Sequence, residues 1–253
     1  MVYDIKNIKQ PKLIRDLRNF GGYSVHHASQ KTMYAFSSLY HTLNVLNTDQ
    51  LIYGTPFKSL YYPQVDRTIK NVHLDRIKVV SNDGKWLYGL GDTQSSPTQR
   101  FRIIDISTDT AKTVYEKGFE HSIEEFALSK DYKTAYLIEP YGGGLKIVDI
   151  SSHDSHARLM SEIKFDDGNS YDIVETINLS PDNLKAYVSY IGGLYIVDLS
   201  VEQPKVIEHI TLEKGDYFKK LIISKDGNTG YVLTIGVGAK SNKDNKLIII
   251  DLP

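Results

Sequence analysis

One sentence is written several times along this chain. GGLYIVDLS, Gly192 to Ser200, repeats GGLKIVDIS, Gly143 to Ser151, and both resemble FRIIDIS at Phe101 to Ser107 and LIIIDL at Leu247 to Leu252. With the strand-ending acid as a ruler, Asp105, Asp149, Asp198 and Asp251 stand 44, 49 and 53 residues apart. Asn47 in LNVLNT and Asp4 in VYDI take the same place upstream. A period of this length is the signature of a unit that cannot bury its own faces and must stack on copies of itself.

A second element recurs inside each period. SNDGKWLY from Ser81, SKDYKTAY from Ser129, SPDNLKAY from Ser180 and SKDGNTGY from Ser224 place a serine seven residues before a tyrosine, with aspartate third. Asp-Gly and Asp-Asn between apolar runs signal hairpins, because these residues tolerate turn conformations. In the first unit Ser29 precedes Tyr34 by five residues, which leaves its turn ambiguous; either way His26 falls on the face of Val80, Leu128, Leu179 and Ile223. Each unit therefore reads as strand, Ser-x-Asp turn, strand, loop and IVDIS strand. PKLIRDL from Pro11, AKTVYEK from Ala111 and PKVIEHI from Pro204 supply fourth strands. The IVD strands are nearly continuous apolar runs, which suits cover on both faces, while the fourth strands alternate as a wet outer edge does. No segment keeps apolar residues at i, i+3, i+4 and i+7 over several turns, so no helix is expected.

Stacked four-stranded antiparallel units around an axis make an all-β fold, the β-propeller. Where IVDIS recurs, the sequence resembles the LVIVD-repeat propellers and, more loosely, the YVTN-type bacterial propellers. The resemblance runs from VYDI to IIIDL and implies a secreted or surface-associated bacterial propeller of unassigned role. Full units begin near Tyr23, Asp75, Ile123, Val174 and Phe218. We expect one propeller domain over residues 1–253, with a closed five-bladed ring preferred over an arc of a larger ring. PKLIRDL would then complete the last unit, leaving VYDI one strand in excess.

Composition narrows the partners. Thirty Lys and Arg against 31 Asp and Glu leave a formal charge of -1, with no electrostatic reason to expect nucleic acid. There is no cysteine, so thiolate chemistry and cysteine-bound metal are excluded. MVYDIKNIKQ has no basic-then-apolar signal pattern, and no run approaches a membrane span. The compartment stays open.

Residues that recur in every unit serve the unit, and those that break the pattern are where function hides. The ruler aspartates are expected to accept backbone hydrogen bonds, and Tyr34, Tyr88, Tyr136, Tyr187 and Tyr231 to pack between blades. The breaks gather on the rim that carries the 4→1 and 2→3 connections, including Ser59–Asp75, GDTQSSPTQR (91–100), DDGNSYD (166–172) and GVGAKSNKDN (236–245). Where first strands leave this rim stand Arg76, Glu124, Glu175 and Lys219, with Tyr23, His121, Tyr171 and Tyr217 close by. These eight are the candidate binding residues; no catalytic residue, metal ligand or cofactor is assigned. DDGNSYD lacks the final glutamate of a calcium loop, and PYGGGLKI runs into a strand instead of the helix a phosphate loop needs.

The leading expectation is a non-catalytic binding or scaffold propeller for a protein, peptide or glycan. The alternative is a channel-mouth enzyme of the lactonase-like or metal-dependent kind, with Glu124, Glu175, His121 and Arg76 as acid, base and oxyanion candidates.

Overall fold

The computed structural model describes residues 2–4, 12–15, 24–27, 31–37, 39–47, 65–93, 96–140, 144–153, 157–165, 174–190, 192–213, 216–236 and 245–253. Among these there is no helix, and every sheet is antiparallel. Internal contacts group the chain into two compact units, Met1–Lys117 and Gly118–Pro253, which are described separately.

Unit 1 opens with a two-stranded sheet, β1 (Val2–Asp4) and β2 (Lys12–Arg15). A four-stranded sheet follows, built in order from β3 (Ser24–His27), β4 (Thr32–Ser37), β5 (Thr42–Asn47) and β6 (Arg67–Ile69). The next is β7 (Arg76–Val80), β8 (Trp86–Thr93), β9 (Ser96–Asp105) and β10 (Lys112–Lys117). Between the two four-stranded sheets lies an apolar layer that includes Phe36, Leu43, Ile69, Leu87 and Ile104, each with no exposed surface. Full burial of such side chains contributes about 1.5–3 kcal/mol apiece, which is why the blades stack.

Unit 2 repeats the meander. Its first sheet is β11 (Glu125–Leu128), β12 (Thr134–Glu139), β13 (Gly144–Asp149) and β14 (Arg158–Ile163). Its second is β15 (Val174–Leu179), β16 (Lys185–Tyr190), β17 (Gly193–Asp198) and β18 (Lys205–Thr211). Its third has three strands among the described residues, β19 (Asp216–Ile223), β20 (Thr229–Gly236) and β21 (Lys246–Asp251). In each unit the first strands of successive sheets run side by side: β3 beside β7, β11 beside β15, and β15 beside β19. The third strands β13 and β17 are buried on both faces, as their apolar runs predict, whereas β18, expected to alternate, is almost wholly exposed, and the third strand β21 has no buried residue.

The Ser-x-Asp turns share one geometry. Ser81 Oγ donates to Asp83 at 2.6 Å and accepts the Trp86 N–H at 2.9 Å. The same pair of bonds recurs at Ser129, Ser180 and Ser224. The residue after each aspartate adopts positive φ: Gly84, Tyr132, Asn183 and Gly227, at 70°, 60°, 61° and 82°. Glycine and asparagine suit that conformation; Tyr132 holds it at a steric cost. In the first sheet His27 pairs with Thr32, so His27, not Ser29, stands where the turn serine does elsewhere, and the turn keeps the common length. His26 then opposes Met33 as Val80 opposes Leu87.

Other expectations change as well. Of PKLIRDL, expected to complete the last sheet, the described residues Lys12–Arg15 pair instead with Val2–Asp4, their near neighbour in sequence, where loop closure costs least. GDTQSSPTQR is not an open loop, because β8 and β9 extend through it as a long hairpin with Gly91 opposite Arg100 and Thr93 opposite Ser96. Tyr34, Tyr88, Tyr136 and Tyr187 are buried, but Tyr231 is 39% exposed on a face of the last sheet that also exposes Leu233, Leu247 and Ile249. The ruler aspartates accept the backbone N–H two residues on at Asp105, Asp149 and Asp198, while Asp251 has no such bond among those described.

Candidate functional site

Unit 2 brings part of the candidate set to one place. Glu124 directly precedes β11, and its N–H donates to the Ile138 carbonyl at 3.0 Å. Glu175 and Lys219 stand at bulges, between Val174 and Thr176 on β15 and between Phe218 and Lys220 on β19. Counted back from Leu128, Leu179 and Ile223, the three occupy the same point of three adjacent first strands. A bulge re-aims the residue that it inserts, which is why such sites are used beside functional surfaces. Lys219 is exposed and Glu124 and Tyr217 are half-buried. Thus two carboxylate positions and one ammonium position line up across neighbouring strands, an arrangement that can present paired charges to a polar partner.

Beneath them a buried ionic layer anchors the 4→1 connection. Glu139, 2% exposed at the end of β12, accepts a short hydrogen bond from the His121 N–H. Its other oxygen lies 3.3 Å from Lys146 Nζ, which also pairs with Glu162 at 2.7 Å and sits 5.7 Å from the Phe119 ring centre. Lys146 raises charge-balancing demands here, since a buried ammonium without carboxylates would carry a penalty of several kcal/mol. The layer therefore fixes the backbone at His121. The β15–β16 pair adds a neutral cluster in which Thr176 Oγ1 and Ser189 Oγ lie 3.0 Å apart and Asn178 donates to Thr176 at 3.2 Å. Sequence reading missed Glu139, Lys146 and Ser189, because charged and hydroxyl residues inside apolar strands read as interruptions until their partners are seen.

The remaining candidates fall elsewhere or outside view. Arg76 begins β7 in unit 1, opposite Leu90. Tyr23 and Tyr171 lie outside the described residues, as do the rim segments 166–172 and 237–244; of Glu175 only the backbone is described. Unit 1 instead pairs two histidines that sequence spacing had kept apart: the His41 and His73 rings are 4.7 Å apart, held by a Val72 N–H to His41 carbonyl bond of 2.9 Å. Burial, then the His41 and Arg102 charges, holds the His73 imidazole below its ordinary value. Among the described residues no three His, Asp or Glu side chains gather as a metal site.

Glu162 is held below the usual range by its bond to Lys146, and the other shifted carboxylates sit on the opposite rim, in the turns. Asp83, Asp131, Asp182 and Asp226 are held below the usual range, first by the hydroxyl of the turn serine. Asp105, Asp149 and Asp198 are held down by Ser107, Ser151 and Ser200. These shifts are accounted for by turn hydrogen bonds. No helix among the described residues is long and apolar enough to cross a membrane.

Comparisons with known proteins place the fold. No protein-family profile matches the chain, and no curated protein does. Among solved structures it is similar to Kuenenia stuttgartiensis hydrazine synthase, with TM-score 0.59 and 15% identity over 88% of this chain and 60% of that one. It is also similar to the β-propeller domain of Myceliophteria thermophila Cps50 (Swd1), with TM-score 0.57 and 12% identity over 90% of this chain and 70% of that domain. A third neighbour is described as a 6-phosphogluconolactonase from Bacteroides uniformis, with TM-score 0.55 and 12% identity over 90% of this chain and 69% of that one. The chain thus spans less than two thirds of the hydrazine synthase chain. At these identities the likeness is one of fold: this is an all-β chain of propeller blades.

Proposed function

We propose that this protein is a non-catalytic binding or scaffold propeller that recognises a protein, peptide or glycan through the loop-bearing rim of its inner strands. The observation that carries the reading is the alignment of Glu124, Glu175 and Lys219 at one point of three adjacent first strands, two of them at bulges. Two carboxylate positions and one ammonium position beside half-buried Tyr217 suit a polar partner. The shifted carboxylates, engaged in turns, support binding over acid–base chemistry. A propeller domain among the structural neighbours, that of Cps50 (Swd1), is in keeping with a scaffold.

The test is a screen of the purified chain on peptide and glycan arrays, followed by calorimetry with the best ligand. Glu124→Ala and Lys219→Ala are each expected to weaken that ligand by about ten-fold, equivalent to about 1.4 kcal/mol, with the melting temperature unchanged. Unchanged affinity in both variants rejects the rim. Hydrolysis of a lactone that Glu124→Ala abolishes would replace the reading with the lactonase-like alternative, which one structural neighbour's description brings forward.

A further inference from the structure

β21 is the edge strand of a sheet that has three strands among the described residues, whereas β5, β9, β13 and β17 each carry a fourth strand. Two side-chain rules govern how fourth strands pair. The first concerns the ruler acid. Asp105 stands directly opposite Lys112, Asp149 opposite Arg158 and Asp198 opposite Lys205, and in the two-stranded sheet Asp4 stands opposite Lys12. Opposite charges that face each other across antiparallel strands favour one register.

The second rule concerns the residue three before the ruler. It meets a group of complementary chemistry directly opposite on the fourth strand. Asn44 Oδ1 accepts the Thr68 hydroxyl at 3.0 Å, and Arg102 and Lys146 pair with Glu116 and Glu162, each at 2.7 Å. Tyr195 stacks on His209 with ring centres 4.4 Å apart. Where the ruler is aspartate, a bulge sets the two fourth-strand positions four residues apart: Lys112 and Glu116, Arg158 and Glu162, Lys205 and His209.

On β21 the corresponding residues are Asp251 and Ile248. Asp251 is exposed, and Ile248 lines a cavity of 380 Å³ whose other walls include Leu194, Ile210, Leu212, Phe218 and Ile250. Leu145 opposes Ile163 and Leu194 opposes Ile210, so Leu212 corresponds to Phe165, on which Tyr195 also stacks. Ile248 and Leu212 therefore stand where Tyr195 and Phe165 do in the preceding interface. A side chain opposite Ile248 would correspond to His209 and would share the sheet face that lines the cavity. The exposure of β21 fits the same picture: β13 and β17, flanked on both sides, bury every residue before the ruler, and β21 buries none.

We propose that β21 is a docking edge for an extended segment of a partner protein, laid antiparallel as a fourth strand. Lys or Arg of that segment stands opposite Asp251, and a large aliphatic side chain four residues on sits against Ile248 in the cavity. Main-chain bonds along the edge supply affinity, and the two side chains supply register and specificity. The chain's own PKLIRDL does not meet the second requirement: the fourth residue on from Lys12 is Asp16, a carboxylate against aliphatic walls, and Lys12 is already opposite Asp4. The edge lies two strands away from the first-strand rim and does not depend on it.

The probe is a fluorescein-labelled peptide of residues 204–211 carrying His209→Leu, titrated with the whole chain and followed by fluorescence anisotropy. Saturable binding is expected. It should weaken by about ten-fold or more when the peptide also carries Lys205→Glu, and likewise when the aliphatic position carries His209→Asp instead. Asp251→Lys in the protein should reverse the charge preference, weakening the first peptide and restoring the Lys205→Glu one; Asp251 is exposed, so the folded amide spectrum is expected to persist. Hydrogen exchange should show the β21 amides that point away from β20 open in the free chain and protected once the peptide is added. Absence of saturable binding, equal affinity for the Lys205 and Lys205→Glu peptides, or a preference that Asp251→Lys leaves in place would overturn the proposal. So would protection of those amides before any peptide is added, by the chain itself in a monomer or by a second copy in a dimer.

Discussion

Tyr115 shows how a single residue can work against the fold that buries it. Its side chain is 4% exposed and packs edge-on against Phe101, with ring centres 6.2 Å apart, yet its hydroxyl has no hydrogen-bond partner. Burial alone pushes its pKa up to about 12 from an ordinary 10. Between those values the unfolded chain sheds a proton that the folded chain keeps, so stability is full below pH 10 and falls as pH rises toward 12. Tyr115→Phe keeps the ring and removes the unmet hydroxyl. It is expected to match or exceed the parent by up to about 1 kcal/mol at pH 7 and to lack this phenol's share of the alkaline loss. Denaturant melts at pH 7 and pH 11 check both; a loss above about 2 kcal/mol at pH 7 would mean that the hydroxyl has a partner.

At the scale of the element, the turn carries the recurrent chemistry. The serine hydroxyl bridges the two strands by accepting an N–H five residues on, and the aspartate receives that hydroxyl and a second N–H. Because these bonds lower the pKa values of Asp83, Asp131, Asp182 and Asp226, their contribution is present above the ordinary value of 3.8 and is lost as pH falls through the lower folded values. The four-fold Asp→Asn variant should therefore melt below the parent at pH 7 and approach it below pH 3. Thermal melts across pH 2–7 read this out, and a gap that stays constant with pH would show that the charges do not matter to the turn. The strands between turns obey the same logic of repetition. Third strands such as GLKIVD and GLYIVD are buried on both faces, so a polar residue within one must bring partners, as Lys146 does with Glu139 and Glu162.

For the whole molecule, surface and charge set the behaviour in solution. The net formal charge is -1 and the isoelectric point about 6.7, so electrostatic repulsion between copies vanishes close to neutrality. The last sheet exposes Tyr231, Leu233, Leu247 and Ile249 on one face, at 39%, 40%, 67% and 65%. An apolar patch on a nearly uncharged molecule favours association. Solubility is expected to pass through a minimum near pH 6.7, and Leu247→Glu with Ile249→Glu should raise it there while changing stability by no more than about 0.5 kcal/mol per site, since both side chains are exposed. Light scattering from pH 5 to 9 tests this; scattering unaffected by the paired substitution would place the sticky surface elsewhere.

The amino-acid sequence alone determined the blade. The order of strands, the Ser-x-Asp hairpin and the doubly buried third strands GLKIVD and GLYIVD follow from local rules, because turn chemistry and apolar runs act over a few residues. It also located the polar residues at one point of successive first strands, since a ruler counted along the repeat is a ruler in space. Only the tertiary structure decided what fills the gaps between blades. The position three before the ruler acid is Asn44, Arg102, Lys146, Tyr195 and Ile248 in turn, and in sequence this looks like drift. Folded, Arg102, Lys146 and Tyr195 meet complementary partners on the neighbouring strand, Glu116, Glu162 and His209, while Ile248 meets a cavity. The reason is physical: turns and strands are set by bonds between near neighbours, whereas packing between sheets depends on side chains that cross-strand register brings together from far apart in the chain.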